Sequence, residues 1–255
     1  MKTKQDLLSA VKTQLALEYN CAPEDFSSNE NIVTTQRNSP KRRRYIDGAF
    51  FFQMVTFGTN AVITSNESMH DWLKDYVKGK SGHWLFEHNN LMDIEKKLNE
   101  YGKKLSQTHH MFLPYKEAAH NETSSIENHF SIKWFEDKAI HQFYEGKMFP
   151  NALCQEYKAE RPDVLALAAY DGGEIIAMAG CSADTPDLWQ IGIDVSENYR
   201  GRGLGTYIVI ELKNEILNRG KIPFYGTSLS NLASWGIALN TGFYPVWIEI
   251  STIEK

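Results

Sequence analysis

The chain has 255 residues, 42% of them hydrophobic and 23% charged, with a net charge of −5. That is an ordinary globular composition with room for one large domain or two modest ones. No apolar run is long enough to span a membrane, and the N-terminus, Met1-Lys-Thr-Lys-Gln-Asp, leads into an amphipathic pattern, not a signal-peptide core. Three cysteines, Cys21, Cys154 and Cys181, are far apart and odd in number, which argues against a disulfide framework and for a reducing, cytoplasmic setting. Charge is uneven: residues 1–125 carry +1 and residues 126–255 carry −6. An acidic second half suits a cationic partner and gives no basic surface for nucleic acid.

The first half reads as mixed α/β. Leu7, Leu8, Val11 and Leu15 recur at helical spacing, so a packed helix is expected over about 4–19. A turn-rich loop follows to Ser28, then a short strand over 31–36. The run Lys41-Arg-Arg-Arg44 is read as a solvated basic loop. Aromatic and β-branched residues over 50–64, broken at Gly58-Thr-Asn60, predict a hairpin. A helix over 66–77 capped by Ser65 or Asn66, a short strand at 83–86, and a helix over 90–101 stopped by Gly102 come next. A strand over 109–113 ends at Pro114. These elements leave open a diverged copy of the architecture of the second half, with no repeat to establish it.

Residues 115–125 are polar and aperiodic and read as a linker, dividing a domain at 1–120 from one at 126–255. In the second domain a strand is expected at 131–135, short helices at 138–143 and 151–157, and strands at 164–170 and 174–182 joined by Asp171-Gly-Gly173. A strand over 188–195 then leads through Arg200-Gly-Arg-Gly-Leu-Gly205 into a helix over 206–219. A strand at 222–227, a helix at 232–240 and a final strand or pair over 243–253 complete the chain.

The glycine-rich turn is the most telling segment. Opening amides of a helix lack intrahelical acceptors, and the helix dipole makes that end partly positive. A strand, a glycine turn and a helix N-terminus therefore make an anion site. Gly203 and Gly205 let the backbone approach a phosphate, and Arg200 and Arg202 add positive charge. The bland alternative is a helix that starts after a flexible turn. The loop is not a Walker P-loop, which needs Gly-x-x-x-x-Gly-Lys-Ser/Thr, and its spacing fails the dinucleotide fingerprint.

The segment Gln190-Ile-Gly-Ile-Asp-Val-Ser-Glu-Asn-Tyr-Arg-Gly-Arg-Gly-Leu-Gly-Thr206 resembles motif A of the GNAT superfamily, the acyl-CoA N-acyltransferases. Asn231-Leu-Ala-Ser234, Ala238 and Gly242-Phe-Tyr244 are similar to that superfamily's later Asn-x-x-Ala/Ser helix. The resemblance covers the chain from near Glu127 onward and does not reach the first half. It implies an α/β fold with a mixed, mostly antiparallel central sheet flanked by helices, preceded by a smaller mixed α/β N-terminal domain. It also implies acetyl-CoA as co-substrate and no metal. Backbone groups of Ile193 to Val195 would hold the pantetheine arm, amides of Gly201, Arg202, Gly203, Leu204, Gly205 and Thr206, with Arg200, the pyrophosphate, and Asn231 would lie beside the pantetheine.

The implied activity is transfer of acetyl to a primary amine of a small molecule or peptide, by direct attack in a ternary complex. The first half would shape the acceptor site or mediate dimerisation. Proton transfer is where the chain departs from its apparent relatives. Many carry Glu where this chain has Gln190, and glutamine takes no proton at neutral pH. Asp194 is the nearest carboxylate on that strand, and alternation puts it on the face of Gln190 and Gly192, so it is the candidate base, set against a solvated strand-end acid. Glu249 is a weaker candidate. The tyrosine that often follows the Asn by seven residues is Ala238 here. These departures keep a second reading, a degenerate acyl-CoA-binding regulatory or scaffold protein. His109, His110, His120, His129 and His141 lack metal spacing and read as structural or solvated. Trp189 and Trp247 flank the expected substrate side and are candidates to line it.

Overall fold

The computed structural model describes residues 3–44, 49–115 and 130–255. Helix α1 (Lys4–Tyr19) begins at a capping box: the Thr3 hydroxyl accepts from the Asp6 amide (3.2 Å), and the Asp6 carboxylate accepts from the Thr3 amide (2.8 Å). Its buried face carries Leu7, Val11 and Leu15, as the spacing predicts. Strand β1 (Ile32–Thr35) is followed by the expected hairpin, β2 (Phe52–Thr56) and β3 (Ala61–Ser65). Helices α2 (His70–Val77) and α3 (His88–Asn99) come next, then β4 (Lys103–Leu105) and β5 (His109–Pro114). The second half supplies β6 (Ser131–Glu136), β7 (Asp163–Asp171), β8 (Glu174–Ala183), β9 (Leu188–Val195), α4 (Leu204–Asn218), β10 (Ile222–Ser228), α5 (Leu232–Asn240) and a single long β11 (Phe243–Glu254).

One sheet crosses both halves in the order β1-β3-β2-β11-β5-β10-β9-β8-β7-β6, with β4 paired to the end of β11. It is mostly antiparallel; β1–β3 and β9–β10 are the parallel pairs. Strand β5, from the first half, lies between β10 and β11. Alternation along the strands divides the core. On one face α2 and α3 pack over Phe52, Met54 and Ile63, while α4 and α5 cover Leu167, Ala179, Ile191 and Tyr225. On the other, α1 covers Val55, Met111, Phe224 and Trp247, and the turns after β6 cover Ala166 and Met178. No described helix is long and apolar enough to cross a membrane.

The structure corrects several expectations. Residues 83–86 form a 3₁₀ turn (Gly82–Phe86), not a strand. Gly82 lies so close to the β2–β3 turn that an added Cβ would come within 2.1 Å of the Asn60 carbonyl carbon, and Trp84 points to solvent. Residues 151–157 are turns, not a helix. The amides of Asn151, Ala152 and Cys154 go to the carboxylates of Asp194 and Asp163 and are lost to a helical ladder. The basic run is not solvated, because Arg42 and Arg43 are buried. Arg43 bridges Glu18 on α1 (3.0 Å) and Glu249 on β11 (2.9 Å). Trp189 and Trp247 are buried in the cores on opposite faces of the sheet, so packing is their role. Cys181 is a small core residue. From residue 116 the expected linker lies outside the described residues, as do His120 and His129.

Candidate functional site

Strands β9 and β10 are in register from Leu188↔Ile222 to Ile191↔Tyr225 and then part. Beyond that point β10 stays paired to β5, through Gly226↔Met111 to Ser228↔His109, and β9 stays paired to β8. The β9 edge from Gly192 to Val195 therefore has no partner on β10. Parting strands leave backbone donors and acceptors that an extended ligand can satisfy. The opening widens into a cleft of about 980 Å³ whose walls include Ile193, Val195, Gly203, Thr206, Tyr225 and Asn231.

The glycine turn closes one end of this cleft. Gly201 (φ 73°) and Gly203 (φ 81°) are in the left-handed region, where a side chain is strained. Gly203 caps α4 without any side-chain hydrogen bond to its first amides, so that end of the helix keeps its donors for a ligand. The other loop residues divide the labour. Arg200 donates to the Val195 carbonyl (3.1 Å), tying the turn to β9. Arg202 is exposed and lies over the Tyr199 ring (5.5 Å). Leu204 is buried in the core and offers the site only its backbone. A Cβ on Gly205 would come within 3.2 Å of both Val195 and Ile237, so this glycine serves close helix–strand packing. Asn231 caps α5, accepting from the Ser234 amide (3.1 Å), and stands exposed in the cleft wall. The glycine-lined cradle and the free β9 edge fit a phosphate with an extended arm.

Gln190, Gly192 and Asp194 share the opposite face of β9, as alternation predicts. The 150–152 turn is pressed onto them: a Cβ on Gly192 would come within 1.9 Å of the Asn151 carbonyl oxygen. Asp194 fastens that turn. One oxygen accepts from the amides of Asn151 (2.8 Å) and Ala152 (2.9 Å), and the other from the Asn151 side chain (2.6 Å). Gln190 accepts from Arg161 (3.0 Å), whose Nε is paired with the buried Asp184 (2.7 Å). These residues border a pocket of about 470 Å³ that meets the cleft at Asn151 and Gln190 and is lined further by Lys147, Glu156, Lys158 and Asp163. Burial raises Asp163 above the ordinary carboxylate value, opposed by hydrogen bonds from Cys154 and Tyr144. Burial also pushes the Cys154 thiol up to about 12, which keeps it from acting as a nucleophile near neutral pH.

Three side chains here escape a reading of the sequence. Arg161 stands in no motif. Tyr225 is buried in the cleft wall beside the point where β9 and β10 part; burial holds its phenol above the ordinary value, against a smaller downward pull from Ser234. His109 lines the cleft from β5. Ala238 is fully buried, so that position faces the core and not the ligand. Glu249 is fastened by Arg43 and by the Trp247 indole (2.8 Å).

Residues 123–243 match the family described as "Acetyltransferase (GNAT) family". No curated protein is significantly similar in sequence. Among solved structures, a GCN5-related N-acetyltransferase-like protein from Streptococcus suis is 17% identical, with a TM-score of 0.47, covering 66% of this chain and 69% of its own. A GCN5-related N-acetyltransferase from Kribbella flavida is 12% identical, with a TM-score of 0.44, covering 62% of each chain. Over residues 123–243 this chain is thus similar to the GNAT acetyltransferase family, whose general chemistry is acyl transfer.

Proposed function

We propose that this chain is an N-acetyltransferase that moves acetyl from acetyl-CoA to a primary amine, by direct attack in a ternary complex. The observation that carries the reading is the parting of β9 and β10 beside the uncapped N-terminus of α4. Amides of Gly201 to Thr206 would hold the pyrophosphate, assisted by the helix dipole. The edge from Ile193 to Val195 would pair with the pantetheine arm, and Asn231 would lie beside it. When bound, the co-substrate supplies the acyl group as a thioester. The protein's part is orientation and proton traffic. Tyr225, kept protonated by burial, is a donor at the inner end of the cleft. The pocket at Gln190 would admit the amine, and its mixed charges suit a polar acceptor, a small molecule or a peptide terminus. The free cysteines support a cytoplasmic setting.

A second reading is a non-catalytic acyl-CoA-binding regulatory or scaffold protein. Two observations favour it: Gln190 is held by Arg161 where a base is expected, and Ala238 is buried where an acid is expected. Thiol release from acetyl-CoA, assayed against spermidine, kanamycin, glycine and a peptide N-terminus, separates the two. Turnover with any amine supports the enzyme. Coenzyme A binding in a calorimeter with no turnover on the whole panel supports the second reading and sinks the first.

A further inference from the structure

We infer that His109 takes the proton shed by the acceptor amine, with Glu249 as its positioning carboxylate; the inference rests on the acyltransferase reading above. In sequence His109-His110 is an unremarkable pair. Alternation along β5 separates the two. His110 turns to the helix face and packs edge-on to Trp235 (4.8 Å between ring centroids). His109 turns to the other face with Met111, whose sulfur would lie 2.7 Å from a Cβ on Gly226; the Gln190 amide would lie 3.2 Å from the same point. His109 thus shares its face with Gln190, Gly192 and Asp194, and it borders the same cleft. Among the described residues no hydrogen bond engages its ring.

Its neighbour across the ladder is Glu249, directly opposite on β11. Directly opposed antiparallel residues hold their Cβ atoms about 4.5–5.5 Å apart on one face. Glu249 cannot wander: Arg43 (2.9 Å) and the Trp247 indole (2.8 Å) both hold it. Arg43 also answers Glu18 from α1, so one guanidinium serves two carboxylates. The next arginine, Arg42, lies over the Phe50 ring (5.9 Å). The charged groups around His109 are therefore Glu249 on β11, Arg43 with Glu18 behind it, and Asp194 across the cleft on β9. The ladder thus sets a fixed carboxylate one rung from the imidazole, on the same face of the sheet.

The alternatives on this face are poor bases. Gln190 has no basic site, and Asp194 already accepts three N–H groups. In the step assigned to His109, the amine nitrogen forms the new bond to the acyl carbon and the C–S bond breaks. The sulfur leaves with that electron pair and is protonated. The proton lost by nitrogen passes to the imidazole and then to solvent.

Carbethoxylation of histidines by diethyl pyrocarbonate, followed by peptide mass spectrometry with and without coenzyme A, reads the placement without turnover. His109 should be protected by coenzyme A and His141 should not. His109→Gln should bind coenzyme A within about twofold of wild type by calorimetry, yet lose roughly 10²-fold or more in kcat on the amine that turns over. The acid limb of its pH–kcat/KM profile should vanish, and added imidazole should restore part of the rate to His109→Gly. Glu249→Gln should lower kcat and leave coenzyme A binding intact. An acid limb retained in His109→Gln, or a His109 that labels equally fast with coenzyme A bound, overturns the assignment. If wild type does not bind coenzyme A, or binds it and turns over no amine, the acyltransferase reading fails instead.

Discussion

The carboxylate of Asp194 holds Asn151 at both its backbone amide (2.8 Å) and its side-chain amide (2.6 Å). With the third bond from Ala152, this clasp replaces the helix expected over 151–157 and sets the roof over Gly192. Asp194 is thus a fastener of the wall between the cleft and the Gln190 pocket. Asp194→Ala removes three hydrogen bonds, two of them exposed to water, so unfolding in urea should show a loss of about 0.5–1.5 kcal/mol. If the clasp is its whole role, the variant's acid limb of kcat/KM stays where wild type has it. A limb that disappears with Asp194→Asn would return the base assignment to this residue.

Gly203 is the sharpest test of the anion cradle. Its φ of 81° is costly for a β-branched side chain, by about 1–3 kcal/mol. A valine there would distort the amides that would meet the pyrophosphate. Gly203→Val should weaken coenzyme A binding at least about 100-fold by calorimetry, a loss on the order of 3 kcal/mol. The far-ultraviolet circular dichroism should remain that of the folded protein. Gly236→Ala probes the α5 wall of the same cleft, where an added Cβ meets nothing within 4 Å. It should stabilise the helix by about 0.5–1 kcal/mol. Unchanged coenzyme A affinity in Gly203→Val would mean that the loop holds no phosphate.

The strands and helices of this fold were readable because their signals are local. Gly172-Gly173 turns the β7–β8 hairpin, and Leu7, Val11 and Leu15 mark one helix face. The glycine turn was equally plain, although the positive φ falls at Gly201 and Gly203 and not at Gly205. What stayed hidden is contact between distant segments. Nothing local to His109 tells that β5 inserts between β10 and β11, or that Glu249 is its partner across 140 positions of chain. The arginine run looked like a surface loop because one of its charges, Arg43, is answered by two carboxylates remote in sequence. For the same reason Gly205 was read as a ligand glycine, when its missing Cβ makes room for Val195 and Ile237.

Arg43 links α1 to β11 through side chains that are nearly inaccessible, 2% for Arg43 and 4% for Glu18. Removing one member of a buried ionic group leaves an uncompensated charge, which typically costs about 3–5 kcal/mol. Arg43→Met should lower stability by that amount in urea titrations. Adding Glu18→Gln to Arg43→Met should recover part of the loss, since it removes one of the stranded charges. A loss below about 1 kcal/mol for Arg43→Met would show that water reaches the cluster freely.

Asp163 supplies a pH dependence with a definite sign. Burial raises its carboxyl above the ordinary value of 3.8, against opposing pulls from Cys154, Tyr144 and Arg161. The folded state therefore holds the proton more tightly than the unfolded chain does. Its stabilising contribution is complete below the unfolded value and is lost as pH rises through the raised folded one. Both of its hydrogen bonds, from Tyr144 (3.0 Å) and the Cys154 amide (2.8 Å), end on one oxygen, so Asp163→Asn keeps an acceptor for each. The variant should gain stability relative to wild type as pH rises from about 4 to about 7, measured by urea unfolding at each pH. A difference that is flat across that window, or that moves the other way, would mean that Asp163 is charged in the folded protein without penalty. The pocket beside Gln190 would then carry a full negative charge across that pH window.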